Sequence, residues 1–587
     1  MNITRTIDLL AHQLQHFPQP DCLAAKENGS WVKYSTQDVQ NKANQISLGL
    51  LKLGIGKNDK VAIISFNRPE WVFADFGIQQ IGAISVPMYP TITVEDYRYI
   101  FSDAEVKAIF VSDASLYAKV SAATAGMESV KEIYTFDQVQ GAKHWSEIVE
   151  LGKGENVQQL EPLKAAVQPD DILTIIYTSG TTGNPKGVML THNNLISNVQ
   201  GTVPYVPVNN THRALSFLPL CHIFERMLLY LYMRIGVSIY YAESIEKVAD
   251  NLKEVQPHVF TTVPRLLEKV YDKIVAKGME LTGVKRKLFF WALELGLKYD
   301  TQENKGWWYN KQLELANKII FSKWREALGG NVIAIVAGGA ALQPRLARVF
   351  WSANIRVMEG YGLTETSPVI AVNRFEPDNN VIGTVGLPID GVEVKISDED
   401  GEILTRGPHV MKGYYNKPEL TAEVIDSEGW FHTGDIGELV KGRYIKITDR
   451  KKEMFKTSGG KYIAPQPIEN KLKESVVIEQ AMVVGSGQKY AAALIVPSFL
   501  GLQDWCQHKG ITYTTDAEMI TKPEVIEKFQ REIDKTNEGL AQYETIKKFK
   551  LIPSMWTVET GELTPTLKVK RKNITVNYLT EINSMYI

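Results

Sequence analysis

Eleven residues at 177–187, YTSGTTGNPKG, carry three glycines, four Ser/Thr hydroxyls and a lysine. Together they could handle a polyphosphate. Glycine lets the backbone approach phosphate oxygens closely, so that its N–H groups point at them. Thr178, Ser179, Thr181 and Thr182 add hydroxyls, Gly180 and Gly183 add backbone freedom, and Lys186 adds a positive charge. The apolar run 172–177 that precedes them reads as a buried strand. The loop is not a Walker A loop, because Pro185 stands where that motif needs its second glycine. The plainer alternative is an ordinary Ser/Thr/Gly turn.

Four further stretches could complete such a site. In EGYGLTETSP, 359–368, Tyr361 between glycines would present an exposed face for stacking on a planar base. Thr364 and Glu365 follow it. A carboxylate near phosphates calls for a cation between them, and Mg²⁺ binds through one carboxylate plus substrate oxygens. In HTGDIG, 432–437, Asp435 reads as an exposed turn residue able to accept from ribose hydroxyls, or else as a plain Asp turn. PLCHIFER, 219–226, sets His222 among apolar residues, where a core histidine is the commoner outcome. The charged run 448–470 contains the flat pair Gly459-Gly460, which could lie along an extended ligand, and LTPTLKVKR, 563–571, carries Lys568 before a final helix.

The elements that must position these groups alternate. Strands are expected at 61–66, 84–87, 107–112 and 331–337, with helices at 70–82 and 343–353 and a Gly338-Gly339 turn between the last pair. This pattern predicts doubly wound α/β layers, which bind ligands at the carboxyl ends of their strands. From 383 to 448 short strands with Gly-rich turns predict a small β-barrel-like subdomain. Beyond it, helices near 468–474 and 523–540 and strands near 481–484 and 492–496 predict a small α+β domain. The boundary falls at 449–452, dividing the chain into 1–449 and 450–587.

Composition bounds the rest. The 587 residues carry a net charge of −2, which gives no footprint for general nucleic-acid binding. Cys22, Cys221 and Cys506 are widely spaced and form no metal or redox pattern, which points to a reducing compartment. The N-terminal residues show no secretory signal, and the best apolar run, 227–241, is broken by Arg234. A cytoplasmic protein is expected.

In their order and spacing, these segments resemble the adenylate-forming superfamily of acyl-CoA synthetases, peptide-synthetase adenylation domains and firefly luciferases. The resemblance spans nearly the whole chain. Within that superfamily, PLCHIFER, the APQPIE run after Tyr462, LTPTLKVKR and an aromatic-rich insertion at 285–328 are most similar to bacterial long-chain fatty acyl-CoA synthetases. The resemblance implies ATP, Mg²⁺ and coenzyme A, a monomer or homodimer, and two half-reactions. A fatty carboxylate attacks the α-phosphorus of ATP, and the coenzyme A thiol then displaces AMP from the acyl-adenylate.

It also implies roles. Thr178 to Gly183, with Lys186, would hold the β- and γ-phosphates. Tyr361 would stack on adenine beside Gly338, Gly339 and Ala340. Thr364 would bond the α-phosphate, Glu365 would hold Mg²⁺, and Asp435 with Arg450 would bind the ribose. His222 would line the acyl entry. Lys568 would bridge the two reacting anions. A mobile C-terminal domain, hinged at Lys452, would then exchange Lys568 for Gly459-Gly460, which would line the pantetheine tunnel.

The substrate expectation is a long-chain acid of unspecified length. A buried chain gains about 0.8 kcal/mol per methylene, and one methylene discriminates by only about 1–3 kcal/mol. Between 285 and 325, nine Lys/Arg face four Asp/Glu, beside Phe289, Phe290, Trp291, Trp307 and Trp308. That composition suits a helix lying peripherally on the inner face of a membrane, or equally a helix pair packed on the N-terminal domain. The main alternative activity is a fatty acyl-AMP ligase that serves a carrier protein. An amino-acid adenylation domain would need an acidic residue near 238–242, and none stands out there. A luciferase and a catalytically inactive acyl-nucleotide binder complete the alternatives.

Overall fold

The computed structural model describes residues 3–178, 184–564 and 569–587. Two large sheets form the first part. In the eight-stranded sheet, Ile84–Met88, Lys60–Ile64 and Val106–Val111 run parallel at the centre. Ile172–Thr178 joins them in parallel and then turns back antiparallel as Lys186–Thr191. The two-residue strand Gly413–Tyr414 closes that edge. In the nine-stranded sheet, Ser238–Tyr241, Arg213–Ser216, Val259–Thr262, Ala334–Ala337 and Arg356–Gly362 are parallel neighbours. Their carboxyl ends therefore share one edge, where such sheets gather ligands. The expected strands and helices are present within a few residues, and 331–337 shortens to Ala334–Ala337.

Helix Pro69–Gln80 is buried along its whole length, and its buried carboxylate and amide side chains are each partnered: Glu70 by Arg68, Asp75 by Arg226, Gln79 by Tyr230 and Gln80 by Ser47. The long apolar run 227–241 is not one element. It splits between helix Ile223–Ile235 and strand Ser238–Tyr241, separated by Gly236 in the left-handed region at φ +87°. Among the described residues no helix is long and apolar enough to cross a membrane.

Helix Gly283–Leu297 corrects half of the membrane expectation. Phe289 is only 6% exposed, and Phe290 and Trp291 are half-buried against the same core. The helix turns its aromatic residues inward because Gly278 of helix Pro264–Glu280 leaves room for the Phe289 ring: a Cβ there would lie 2.1 Å from it. Trp307 and Trp308 open the next helix, Trp307–Ala316, and are 71% and 66% exposed.

After the large sheets, Glu393–Ile396, Glu402–Arg406, Phe431–Val440 and Tyr444–Arg450 make a four-stranded antiparallel sheet. The last part has a three-stranded sheet with a separate core on each face. Its strands Ile478–Val484 and Ala491–Pro497 were expected. The third, Ile546–Leu551, reads IKKFKL and buries only its two ends.

Candidate active site

Tyr361 and Asp435 lie closer to the core than their glycine neighbours suggest. Tyr361 sits in strand Arg356–Gly362 at 7% exposure, and Asp435 sits inside strand Phe431–Val440 at 3%. Neither is the exposed turn residue that the sequence predicts. The cause is their mutual bond. The Tyr361 phenol donates to Asp435 Oδ2 at 2.8 Å, and Arg450 Nε donates to Oδ1 at 2.9 Å. Asp435 and Arg450 are also register partners on adjacent strands. Burial first, and Asp435 second, push the Tyr361 hydroxyl well above its ordinary pKa, so it stays a neutral donor. A buried carboxylate held by a phenol and a guanidinium is a charge-assisted network with a fixed geometry.

Gly338 and Gly339 follow the buried strand Ala334–Ala337, and the Gly338 N–H donates to Thr262 O at 3.2 Å. A Cβ on Gly338 would lie 3.0 Å from the Phe224 ring and 3.6 Å from Gly360 O. The glycine is therefore needed where three segments meet: the His222 segment, the glycine turn and the strand bearing Tyr361. Gly339, at φ +80°, and Ala340 are exposed beside it.

Thr178 ends one strand and pairs across with Lys186, which begins the next. The loop between them includes Ser179, Gly180, Thr181, Thr182 and Gly183, which lie outside the described residues. Lys186 Nζ sits 5.0 Å from the centre of the Tyr414 ring. The Tyr414 hydroxyl donates to Glu365 Oε1 at 2.9 Å. Lys186 and Glu365 thus converge on one tyrosine that the sequence reading passed over. The only local signal for it was a Gly-Tyr-Tyr run before an Asn-Lys-Pro turn.

Thr364 opens the short turn Thr364–Thr366. Asn198 clamps the following strand, donating to Val369 O at 2.7 Å and accepting from its N–H at 3.1 Å. Gly362 is obligatory at the entry to the turn, since a Cβ there would fall 1.7 Å from Pro368 O. Among the described residues no three His, Cys, Asp or Glu side chains converge to hold a metal. A cation beside Glu365 would draw its other ligands from water and substrate oxygens, the mode in which Mg²⁺ meets nucleotides. The Glu365 carboxylate fits that mode.

His222 caps helix Ile223–Ile235, its Nδ1 accepting from Phe224 N–H at 3.2 Å, and it lies 6.5 Å from the Tyr89 ring. It is half-buried rather than a core histidine. The two residues that fix its helix are Glu225 and Arg226. Glu225 accepts from Ser216 at 2.6 Å and from Thr261, both on the nine-stranded sheet. Arg226 donates to Thr174 and Ser85 on the eight-stranded sheet, each at 2.7 Å, and pairs with Asp75. One helix is thereby pinned between two sheets by consecutive charged residues. Burial pushes the Glu225 carboxyl up to about 7 against the lowering effect of its two hydroxyl donors.

Gly459 and Gly460 are not gathered here. They form the exposed tip of the hairpin made by Phe455–Lys456 and Tyr462–Ile463. Among the described residues, a Cβ on either would have only Thr457 or Lys456 within 4 Å. Lys568 lies outside the described residues. Its flanks are described: Leu563 bridges Val569, and Arg571 is held by Glu469 at 2.6 Å and Glu453 at 3.2 Å.

Comparison with known proteins gives the chain its family. The AMP-binding enzyme profile matches residues 10–415, and the AMP-binding enzyme C-terminal domain profile matches 453–587. A long-chain-fatty-acid–CoA ligase, FadD15 of Mycobacterium tuberculosis, is 33% identical over 568 residues, covering 95% of this chain and 93% of that one. The peroxisomal long chain acyl-CoA synthetase 7 of Arabidopsis thaliana is also 33% identical, covering 95% and 82%. Among solved structures, the anthranilate CoA ligase AuaEII in complex with anthranoyl-AMP superposes with a TM-score of 0.73 at 18% identity, covering 98% of each chain. The chain belongs to the AMP-binding, adenylate-forming enzymes and has their α/β fold, and it is an adenylate-forming ligase of the acyl-CoA synthetase class.

Proposed function

We propose that this AMP-binding enzyme is a long-chain fatty acid–CoA ligase that forms acyl-AMP and pyrophosphate, then acyl-CoA and AMP. One observation carries the reading. Tyr361 belongs to the Asp435–Arg450 cluster and Glu365 to the Lys186 cluster, and the two are joined by a single short segment, 361–365. Such a segment can hold the nucleoside and polyphosphate ends of one ATP at once. Full-length similarity to ligases named for long-chain fatty acids supports the acyl substrate.

In this reading Tyr361 stacks on adenine, with Gly338, Gly339 and Ala340 beside it, and Asp435 with Arg450 takes the ribose. Thr178 to Gly183 and Lys186 neutralise the outer phosphates, and Thr364 bonds the α-phosphate. Glu365 would hold Mg²⁺, which would supply charge neutralisation at the phosphates. Lys568 lowers the repulsion between fatty carboxylate and α-phosphate as they approach. Adenylation replaces an oxide leaving group with a phosphate monoester, which makes the acyl carbon open to a thiol. His222 flanks the acyl entry. Residues 450–587 act as a mobile domain, hinged at Lys452, that brings Gly459-Gly460 to the thiol's path. Incubation with Mg-ATP, palmitate and coenzyme A, followed by product analysis, tests the assignment.

The place where the enzyme meets its substrate is part of the same proposal. Trp307 and Trp308 stand exposed on helix Trp307–Ala316, where Leu315 is also exposed and exposed Lys311 pairs with Glu314 at 2.8 Å; Lys318 is exposed in the segment Asn317–Phe321 that follows. Basic residues beside exposed tryptophans suit an anionic lipid surface, which would present fatty acids directly. Flotation with phosphatidylglycerol vesicles should retain the parent chain and lose a Trp307→Ser, Trp308→Ser variant. Equal retention of both would remove this surface from the account.

A further inference from the structure

Tyr414 has a place in the site that the proposed chemistry does not yet use. Its strand, Gly413–Tyr414, is zipped antiparallel onto the strand that begins with Lys186. Tyr415 N–H donates to Gly187 O at 2.7 Å, and Lys412 N–H to Met189 O at 3.0 Å. On the other side, Met411 N–H donates to Glu365 O at 2.8 Å. Residues 411–415 therefore span from the edge of the eight-stranded sheet to the Thr364–Thr366 turn. The Tyr414 side chain, 6% exposed, repeats that span. Its ring carries the Lys186 ammonium at 5.0 Å, and its hydroxyl donates to Glu365 Oε1 at 2.9 Å.

An ammonium and a carboxylate left side by side would pair directly, and each would lose much of its attraction for a third charge. Here the phenol stands between them. The ring face holds the cation through its quadrupole, and the hydroxyl holds the anion through one charge-assisted hydrogen bond. That bond occupies Oε1 and leaves Oε2 for another ligand.

We propose that Tyr414 is a positioning residue, a spacer that keeps Lys186 and Glu365 from neutralising each other and thereby sets the affinity for Mg²⁺ in the presence of ATP. The inference rests on the reading of this site as a Mg-ATP site and deepens it. Two variants separate the parts of the side chain. Tyr414→Phe keeps the ring and loses the hydroxyl, whereas Tyr414→Leu loses both.

The test is equilibrium ATP binding by calorimetry across a Mg²⁺ titration, with thermal unfolding of each ligand-free variant measured alongside. Tyr414→Phe should raise the Mg²⁺ concentration for half-maximal ATP binding by about tenfold to a hundredfold, the scale of one hydrogen bond to a charged group. ATP affinity without Mg²⁺ should hold in Tyr414→Phe and fall in Tyr414→Leu. A Tyr414→Phe variant that unfolds earlier but keeps the parent's Mg²⁺ dependence would overturn the inference, leaving Tyr414 a packing residue. A parent chain that binds ATP with no dependence on Mg²⁺ would overturn the site reading itself, and the inference with it.

Discussion

The phenol of Tyr361 is bonded to the carboxylate of Asp435 across 2.8 Å, although 74 residues separate them in the chain. The bond joins the nine-stranded sheet to the four-stranded one, and Arg450 locks it from the second side at 2.9 Å. Asp435→Asn replaces one acceptor oxygen with an NH₂ that faces either the phenol or the guanidinium. ATP binding should weaken by about tenfold to a hundredfold, the range for losing a charged hydrogen bond. Tyr361→Phe leaves a buried carboxylate oxygen without its donor and should cost about 1–3 kcal/mol of stability. Calorimetric titration and denaturant unfolding measure the two effects.

Arg226 is fully buried and binds both Asp75 and the eight-stranded sheet. Arg226→Met removes one partner of a buried pair and leaves Asp75 uncompensated. The expected loss is about 3–5 kcal/mol. Replacing Asp75 with Leu in the same chain removes the stranded charge and should recover part of that loss. Denaturant unfolding decides, and a single variant within about 1 kcal/mol of the parent would contradict the pinned-helix account.

Glu225 gives a pH signature. Its folded carboxyl titrates near 7 against an ordinary 4.5, because burial disfavours the anion. The folded chain therefore binds the proton more tightly than the unfolded chain does. Stability from this group is complete below about 4.5 and is lost as pH rises through about 7. Glu225→Gln keeps a neutral side chain at every pH, so the fall in melting temperature across that window should be shallower in the variant. An identical slope would show that Glu225 is not the titrating group.

The sequence carried much of this architecture for a physical reason. Strand and helix periods follow from burial, and the central strands of the two large sheets are buried on both faces. It carried less of the site. The glycines around Tyr361 and Asp435 read as turns, yet both residues lie in strands and are buried by a bond between distant segments, which no local pattern encodes. Strand Ile546–Leu551 was hidden because three lysines in IKKFKL read as a solvated run, although an edge strand can carry exposed lysines, two of them adjacent beside a register shift. Tyr414 escaped for the same reason as Asp435: its partners, Lys186 and Glu365, are remote in sequence.

In the proposed mechanism Lys568 serves the first half-reaction only. Lys568→Ala should slow acyl-adenylate formation by about a hundredfold or more, the scale of losing one electrostatic contact to the transition state. Transfer of supplied acyl-adenylate to coenzyme A should stay near the parent rate. Quenched-flow measurement of each half-reaction reads the two rates, and equal losses in both would contradict the alternation of Lys568 with the Gly459-Gly460 hairpin.

The most direct test of the proposed ligase is product analysis with Mg-ATP and palmitate, run with and without coenzyme A. The account predicts AMP, pyrophosphate and palmitoyl-CoA in equal amounts when coenzyme A is present. Palmitoyl-adenylate that accumulates and never passes to coenzyme A would contradict the ligase and favour transfer to a carrier protein. No AMP under either condition would contradict the fatty-acid assignment itself.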